Sequence, residues 1–199
     1  MNMRKGGLVP FYDLDRQERI RLTETAIAKG ESLHSRWIAL EAPEAKGWNA
    51  RAAAAAEWLQ GYRSVLDLGC GTMILEPHLA DTVRYYPCDI VARDDRTVIC
   101  DLNLEPPPVV EAEAVACLGL LEYLHQPQSV MAALAKNYPI AVVSYCVIDA
   151  MNPSKDRRAH GWVNDFDSVG IATMFEQAGW HIEQRKEHGA FQMLWQLSR

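Results

Sequence analysis

The residues with the clearest chemical potential follow a strand-like run in the first half of the chain. The segment VLDLGCGTM, residues 65 to 73, passes from apolar residues into Asp67 and then into two close glycines, Gly69 and Gly71. Glycines at this spacing let the backbone turn tightly and approach a ligand closely. A nucleoside triphosphate, a dinucleotide pyrophosphate and an amino-acid-bearing nucleoside are all compatible with such a turn.

The residues after the turn argue against two of these ligands. A P-loop ends in Gly-Lys-Ser/Thr, whereas Thr72, Met73 and Ile74 follow here, with no lysine to meet phosphates. A dinucleotide fingerprint requires glycine or alanine at position 74, which is Ile74. Pro77 predicts that the next helix is kinked or begins near Glu76, because proline is costly inside a helix. The amino-acid-bearing nucleoside remains.

The segment VLDLGCGT resembles motif I of the class I methyltransferases, which use S-adenosyl-L-methionine, and the resemblance continues over about residues 47 to 199. It implies that the glycine turn approaches the methionine part of the cofactor and that Asp89 accepts hydrogen bonds from both ribose hydroxyls. Asp101 would lie at the adenine edge. Arg51 could bind the cofactor's carboxylate if its helix points at the turn. The implied cofactor-binding residues are Asp67, Gly69, Cys70, Gly71, Asp89, Ile90, Asp101, Leu102, Leu118, Gly119 and Arg51.

Two positions depart from the pattern of that family. A further glycine is usual where Met73 stands, and a side chain there could narrow the pocket, weaken binding or point away. Tyr123 stands in place of a frequent histidine after Glu122. A non-catalytic relative therefore stays open as an alternative.

The loop of residues 149 to 166 is the best source of groups for the methyl acceptor, because long polar loops in compact domains are often binding elements. His160 is the first candidate for a general base, since imidazole titrates near neutral pH, although a solvent-exposed loop histidine is the alternative. Asp149 and Tyr145 are secondary catalytic candidates, and Asp149 could equally cap a turn. Arg157 and Arg158 could clamp an anionic acceptor or form a solvated charge cluster. Trp162 could stack on an acceptor ring or anchor the loop.

The pattern of apolar, polar and glycine residues along the chain predicts the helices and strands that position these residues. Residues 13 to 29 and 51 to 59 are typical of helices, ended by Gly30 and Gly61. From residue 63, short apolar runs without alternation indicate strands buried on both faces, and helix-compatible segments separate them. The pattern predicts an α/β fold: a Rossmann-like, seven-stranded, mostly parallel sheet with helices on both faces and an antiparallel C-terminal hairpin on either side of Gly189. Residues 1–46 are predicted to form a helical cap and residues 47–199 the methyltransferase domain.

Composition narrows the class of protein further. The 199 residues carry a formal net charge of −6, which disfavours a general nucleic-acid surface. No apolar run reaches the roughly 20 residues needed to cross a bilayer, and no secretory signal is visible, so a cytoplasmic location is predicted. The five cysteines have no metal-ligand spacing and are expected to be buried thiols, with no metal site.

These observations predict a methyltransferase that uses S-adenosyl-L-methionine and acts on an oxygen of a small-molecule or glycan acceptor. Methylation of RNA or protein is an alternative, and the negative net charge of the chain counts against it. A non-catalytic binding subunit is a third hypothesis, and a homodimer or a partner protein stays open.

Overall fold

The computed structural model describes residues 3–4, 7–40, 48–149 and 157–199, and its centre is one seven-stranded sheet. The strands are β1 Ser64–Leu68, β2 Arg84–Asp89, β3 Val98–Ile99, β4 Ala114–Leu118, β5 Ile140–Cys146, β6 His181–His188 and β7 Gln192–Ser198. Their order across the sheet is β3-β2-β1-β4-β5-β7-β6. Strands β1 to β5 are parallel, and β7 pairs antiparallel with both β5 and β6. The predicted fold class, including the terminal hairpin, is confirmed.

Five α-helices accompany the sheet in the described part of the chain. They are α1 Arg16–Lys29, α2 His34–Ile38, α3 Asn49–Trp58, α4 Pro127–Asn137 and α5 Ser168–Gln177. The side chain of Asp15 caps α1 by accepting from the Glu18 amide, and Gly30 ends it with a φ of 66°. Pro127 occupies the first turn of α4, where its missing N–H costs nothing.

The two faces of the sheet are covered by different helices because successive strand residues point to opposite sides. On one face, Ala55 and Ala56 of α3 pack with Val65 and Val142. On the other face, helices α4 and α5 cover a larger apolar layer that contains Leu66, Val143 and Trp195. Burial on both faces explains why the sequence of the parallel strands lacks polar alternation.

The helix expected after the glycine turn is replaced by a shorter element. Between β1 and β2 the only helical segment is a 3₁₀ turn, Glu76–His78, with Pro77 at its start. Pro77 accounts for this difference, because it lacks the N–H that a longer helix would need. Helix α3, Asn49–Trp58, agrees with the helix predicted over residues 51 to 59, and Gly61, with a φ of 91°, lies in the turn that follows it.

The N-terminal segment, residues 9–40, lies over the carboxyl edge of the parallel strands. The Thr23 hydroxyl of α1 donates to the Arg158 carbonyl at 2.7 Å, and Arg19 donates to the Ala159 carbonyl at 3.1 Å. Ser32, between α1 and α2, donates to Asp101 at 2.6 Å. The predicted division between residues 46 and 47 lies outside the described residues. The segment nevertheless closes the side of the sheet where ligands bind in open α/β folds.

All five cysteines are buried thiols, in agreement with the sequence prediction. Among the described residues, no group of three or more histidine, cysteine or acidic side chains is arranged to hold a metal ion. None of the described helices has both the length and the apolar character needed to span a bilayer.

Candidate functional site

Two cavities meet at the carboxyl edge of the sheet, beneath the N-terminal segment. The smaller has a volume of about 70 Å³ and lies beyond β2 and β3. The larger has a volume of about 310 Å³ and lies beyond β1, β4 and β5. Gly69, Gly119, Trp37 and Tyr123 line both cavities, so the two form one continuous site. Every residue that the sequence predicted to bind the cofactor lines one cavity or both, although its binding role stays a prediction.

Asp89, at the end of β2, lines the smaller cavity and is already hydrogen-bonded. Its Oδ2 accepts from the Gly71 amide at 2.8 Å, and its Oδ1 accepts from the Val91 amide at 3.0 Å and from Arg93 at 3.2 Å. Three of the roughly four acceptor positions of a carboxylate are therefore in use. The arrangement leaves room on Oδ2 for one further donor, such as one ribose hydroxyl, rather than for the two implied by the resemblance.

Asp101 lies across the smaller cavity from the glycine turn. Its Oδ1 accepts from the Ser32 hydroxyl and from the Asn103 amide at 3.0 Å, while Oδ2 has no hydrogen-bond partner among the described residues. Ile90, Leu102 and Leu120 supply apolar surface to the same cavity. An acceptor atom beside an apolar slot suits a flat ring with an exocyclic amino group, such as adenine.

The two glycines shared by the cavities allow a close backbone approach. Gly69 has a φ of 75° and Gly119 a φ of 66°, conformations that favour glycine. A Cβ atom added at Gly119 would lie 2.4 Å from Nη1 of Arg51, so no larger residue fits there while Arg51 keeps its place. The ends of β1 and β4 thus form a narrow gap closed by the Arg51 guanidinium.

Arg51 and Glu122 are buried ionisable side chains that line the larger cavity and have unused hydrogen-bonding capacity. Arg51 makes no hydrogen bond or ion pair with any described residue, and its Nε is fully buried. Glu122 is 1% exposed; its Oε1 accepts from the Cys146 amide at 2.9 Å, but its Oε2 has no partner. Burial lowers the pKa of Arg51 and raises that of Glu122, and the attraction between the two groups opposes both shifts. A zwitterionic ligand would satisfy both groups, with its anionic end on Arg51 and its cationic end on Glu122.

Asp67 lies beneath the glycine turn and lines the larger cavity. Its Oδ2 accepts a hydrogen bond of 2.6 Å from the Tyr85 hydroxyl. Burial raises the pKa of Asp67 to about 7, against the opposing effect of that hydrogen bond. The carboxyl group therefore supports the turn from below and carries a proton through part of the neutral range.

Met73 does not obstruct the site. It lines neither cavity, and its sulfur accepts a contact of 3.8 Å from Arg96 on the exposed side of the turn. Its φ of 57° is the left-handed conformation that glycine adopts at least cost. Methionine in place of glycine therefore strains the turn, but its side chain does not fill the space for a ligand.

His160 is the one predicted catalytic residue that the structure brings to the larger cavity. Its Nδ1 lies 3.1 Å from the Tyr12 hydroxyl oxygen, and its ring lies against Trp162 with a centroid separation of 4.9 Å. The indole N–H of Trp162 donates to the Tyr123 hydroxyl at 3.1 Å. His160 and Trp162 of the loop, Tyr12 of the N-terminal segment and Tyr123 after β4 therefore line the same part of the larger cavity.

Tyr145 and Asp149 are not brought to the cavities. The Tyr145 hydroxyl accepts from Arg157 and from the Phe166 amide, and it donates to Asn164, beneath the loop. Asp149 accepts from the amide and the hydroxyl of Ser168, the first residue of α5, whose N-cap is Asp167. Both side chains hold the loop and the helix in place, and neither is retained as a candidate for proton transfer.

Arg157 and Arg158 also stabilise the loop rather than face an acceptor. Arg157 is 5% exposed and donates to the carbonyl of Cys146 at 2.6 Å and to Asp165 at 2.8 Å. Arg158 pairs with the same carboxylate and donates to the Trp162 carbonyl. The interpretation of this pair as an anion clamp is therefore replaced by a structural role.

Solved structures share this architecture. A protein from Nostoc punctiforme that is described as an O-methyltransferase matches with a TM-score of 0.70 at 13% identity, over 95% of this chain and 71% of that chain. The 1,6-didemethyltoxoflavin-N1-methyltransferase of Burkholderia thailandensis, crystallised with S-adenosylhomocysteine, matches with a TM-score of 0.62 at 14% identity, over 98% and 93% of the two chains. The chain has the class I methyltransferase fold. No protein-family model and no curated protein matches the sequence.

The methyltransferase fold alone does not decide the reaction. The [4+2]-cyclase SpnF has the same fold, with a TM-score of 0.61 at 15% identity, over 76% of this chain and 80% of that chain. The reaction therefore depends on the groups that line the cavities and not on the fold.

Two residues of the site have no counterpart in the sequence predictions. Glu122 follows β4 closely enough to have been suspected as a strand-end carboxylate, but only the structure shows that it is buried with no hydrogen bond to Oε2. Arg36 lies in the short helix α2, in a segment without periodicity. Nothing in the sequence indicates that this arginine is 1% exposed inside the methyltransferase fold.

Asp67 predicts a pH dependence of stability. Its pKa of about 7 lies above the ordinary value, so the folded state holds this proton more tightly than the unfolded chain does. The resulting stabilisation is fully present at low pH and is lost as the pH rises through 7. Between pH 5 and pH 8 the ligand-free protein should lose about 2 kcal/mol through this group.

Denaturant unfolding at both pH values checks this expectation, with Asp67→Asn as the comparison. The variant keeps an oxygen that can accept from Tyr85 but cannot ionise. The free energy of unfolding of the variant should fall less across this interval than that of the parent. Parallel pH dependences in the two proteins would contradict the assignment.

Proposed function

We propose that the protein is a methyltransferase that binds S-adenosyl-L-methionine across both cavities and methylates an oxygen of a small-molecule acceptor. The observation that carries the proposal is unused hydrogen-bonding capacity beside the glycine turn: Arg51 makes no hydrogen bond or ion pair with a described residue, and Oε2 of the buried Glu122 has no partner. A nucleotide with only phosphates would not satisfy Glu122, whereas the α-carboxylate and α-ammonium of the cofactor's amino-acid part complement both groups.

Each part of the cofactor has residues that suit it. Arg51 would bind the carboxylate, and Gly69 and Gly119 would allow the methionine chain to pass close to the backbone. Asp89 would accept from a ribose hydroxyl and Asp101 from the adenine amino group. When bound, the cofactor supplies an electrophilic methyl group on a sulfonium. The chain's own residues bind, orient and keep water out.

His160 is proposed to take the proton that an acceptor hydroxyl loses as its oxygen gains the methyl group. It is the only imidazole among the described residues that line the larger cavity. Tyr12, at 3.1 Å from Nδ1, and Trp162 fix the plane of the ring. A held imidazole is suited to general-base catalysis near neutral pH.

The shape of the larger cavity favours a small, flat acceptor over a glycan, an RNA or a protein segment. Its outer wall consists of the rings of Tyr12, Trp37, Tyr123 and Trp162, and the N-terminal segment covers it. Among proteins with this fold, the O-methyltransferase NcsB1 was crystallised with S-adenosylmethionine and 2-hydroxy-5-methyl naphthoic acid, an aromatic acceptor. The net charge of −6 also disfavours an exposed basic surface that would bind RNA.

A turnover screen tests the proposal. The protein is incubated with S-adenosyl-L-methionine and a panel of phenols, aromatic hydroxy acids, saccharides and a short RNA, and demethylated cofactor and methylated products are measured by mass spectrometry. We expect product from at least one hydroxylated aromatic compound. Demethylated cofactor formed only with RNA would overturn the acceptor class. Cofactor binding without turnover on any acceptor would favour a non-catalytic binding subunit.

A further inference from the structure

The larger cavity contains a second buried cation, Arg36, that the proposed cofactor does not use. Its side chain lies among the rings of Phe11, Tyr12, Trp37 and Tyr123, with its guanidinium carbon 4.7 to 5.5 Å from their centroids. The residue is 1% exposed and lines the cavity. Arg36 thus belongs to the N-terminal segment, whereas the glycine turn belongs to the sheet, and both line the same cavity.

The hydrogen-bonding capacity of Arg36 is largely unused. Nη2 donates to the hydroxyls of Tyr12 and Tyr123, each at 3.2 Å, whereas Nε and Nη1 have no partner. A guanidinium has five N–H donors, and buried donors are normally all satisfied. No carboxylate of the described residues lies within ion-pair distance of it.

The aromatic cage does not compensate the charge of Arg36. Cation–π contacts attract the guanidinium to the rings, but the rings carry no net negative charge. A buried cation without an anion is costly, and fold stability alone would be served equally well by an apolar side chain. An anion supplied by a ligand explains why an arginine occupies this position.

We infer that Arg36 binds a carboxylate of the methyl acceptor, so that the substrate is a hydroxylated aromatic carboxylic acid. A single cation suits a monoanion better than a phosphate dianion, especially with Glu122 and Asp67 on the same cavity. The surrounding rings of Tyr12, Tyr123 and Trp162 suit the flat body of the molecule. His160, on the same wall, would face its hydroxyl. The inference depends on the proposed function, because it identifies the second substrate of that site.

The test separates cofactor binding from acceptor binding. The protein is first titrated with S-adenosylhomocysteine, and failure to bind would reject the proposed function itself. The saturated complex is then titrated with a hydroxynaphthoate, with the carboxamide of the same ring system and with naphthyl phosphate. We expect the carboxylate to bind at least about tenfold more tightly than the carboxamide, because charge-assisted hydrogen bonds are the stronger kind.

Variants assign that preference to Arg36. In Arg36→Met the carboxylate and the carboxamide should bind equally, while Arg36→Lys should retain part of the preference. Arg19→Met is the matched control, because Arg19 stacks on Tyr12 at 5.2 Å without lining either cavity. Equal binding of carboxylate and carboxamide to the unaltered complex, or tighter binding of the phosphate, would overturn the inference. A preference that survives in Arg36→Met would also overturn it.

Discussion

Replacement of Arg51 by methionine should weaken the binding of S-adenosylhomocysteine by about a hundredfold or more, because loss of one partner of a buried charge pair costs about 2–5 kcal/mol. The ligand-free variant should be as stable as the parent or more so. Arg51 makes no hydrogen bond or ion pair with a described residue, and a buried cation without such a partner opposes folding. Isothermal calorimetry gives the affinity, and thermal unfolding gives the stability.

Methylthioadenosine, which has the adenosine and the sulfur but no amino-acid part, is the decisive control ligand. It should bind Arg51→Met and the parent protein equally well. Arg63→Met is the matched control variant, since Arg63 is an exposed arginine that pairs with Glu113 away from the site. Equal weakening of both ligands by Arg51→Met would mean that Arg51 shapes the cavity and does not bind the carboxylate.

Replacement of His160 by alanine should lower kcat by about a hundredfold to ten-thousandfold, the usual contribution of a general base. The affinity for the cofactor should stay the same, because His160 lines only the larger cavity and lies on its cap side. The acidic limb of the pH profile of kcat should disappear with the imidazole. Steady-state kinetics with an acceptor from the turnover screen measure both effects.

His181→Ala provides the comparison, because His181 is exposed at the start of β6. It should behave as the parent protein does. Tyr12→Phe removes the hydroxyl beside Nδ1 and should give a smaller loss of kcat than His160→Ala. An unchanged pH profile in His160→Ala would show that another group takes the proton, or that the acceptor needs no base.

The cofactor half of the site could be predicted from the sequence because strand ends fix where its residues lie. Asp89 ends a parallel strand, and Gly69, Asp101 and Gly119 each follow one; the carboxyl ends of parallel strands meet at one edge. Once the strands are recognised, these residues must converge. No side-chain packing needs to be known for this conclusion.

The acceptor half could not be predicted because it depends on side-chain direction and on cap packing. Tyr145 and Cys146 are neighbours at the end of β5, yet Cys146 lines the larger cavity and Tyr145 belongs to the core on the other face. A difference of one residue in a strand reverses the direction of a side chain. Arg36 is still harder to predict, since only the folded cap shows that it is buried.

Met73 illustrates the limit of reasoning from a family pattern. The missing glycine left open whether the side chain would narrow the pocket, weaken binding or point away, and the structure shows that this position has a positive φ. Methionine adopts that conformation at a cost of about 1–2 kcal/mol, and its side chain turns towards Arg96.

A crystal structure of the complex with S-adenosylhomocysteine tests the central claim most directly. We expect the adenosine in the smaller cavity with a ribose hydroxyl on Asp89, and the ligand carboxylate on Arg51. A ligand that leaves Arg51 without an anion, or whose ribose lies away from Asp89, would contradict it.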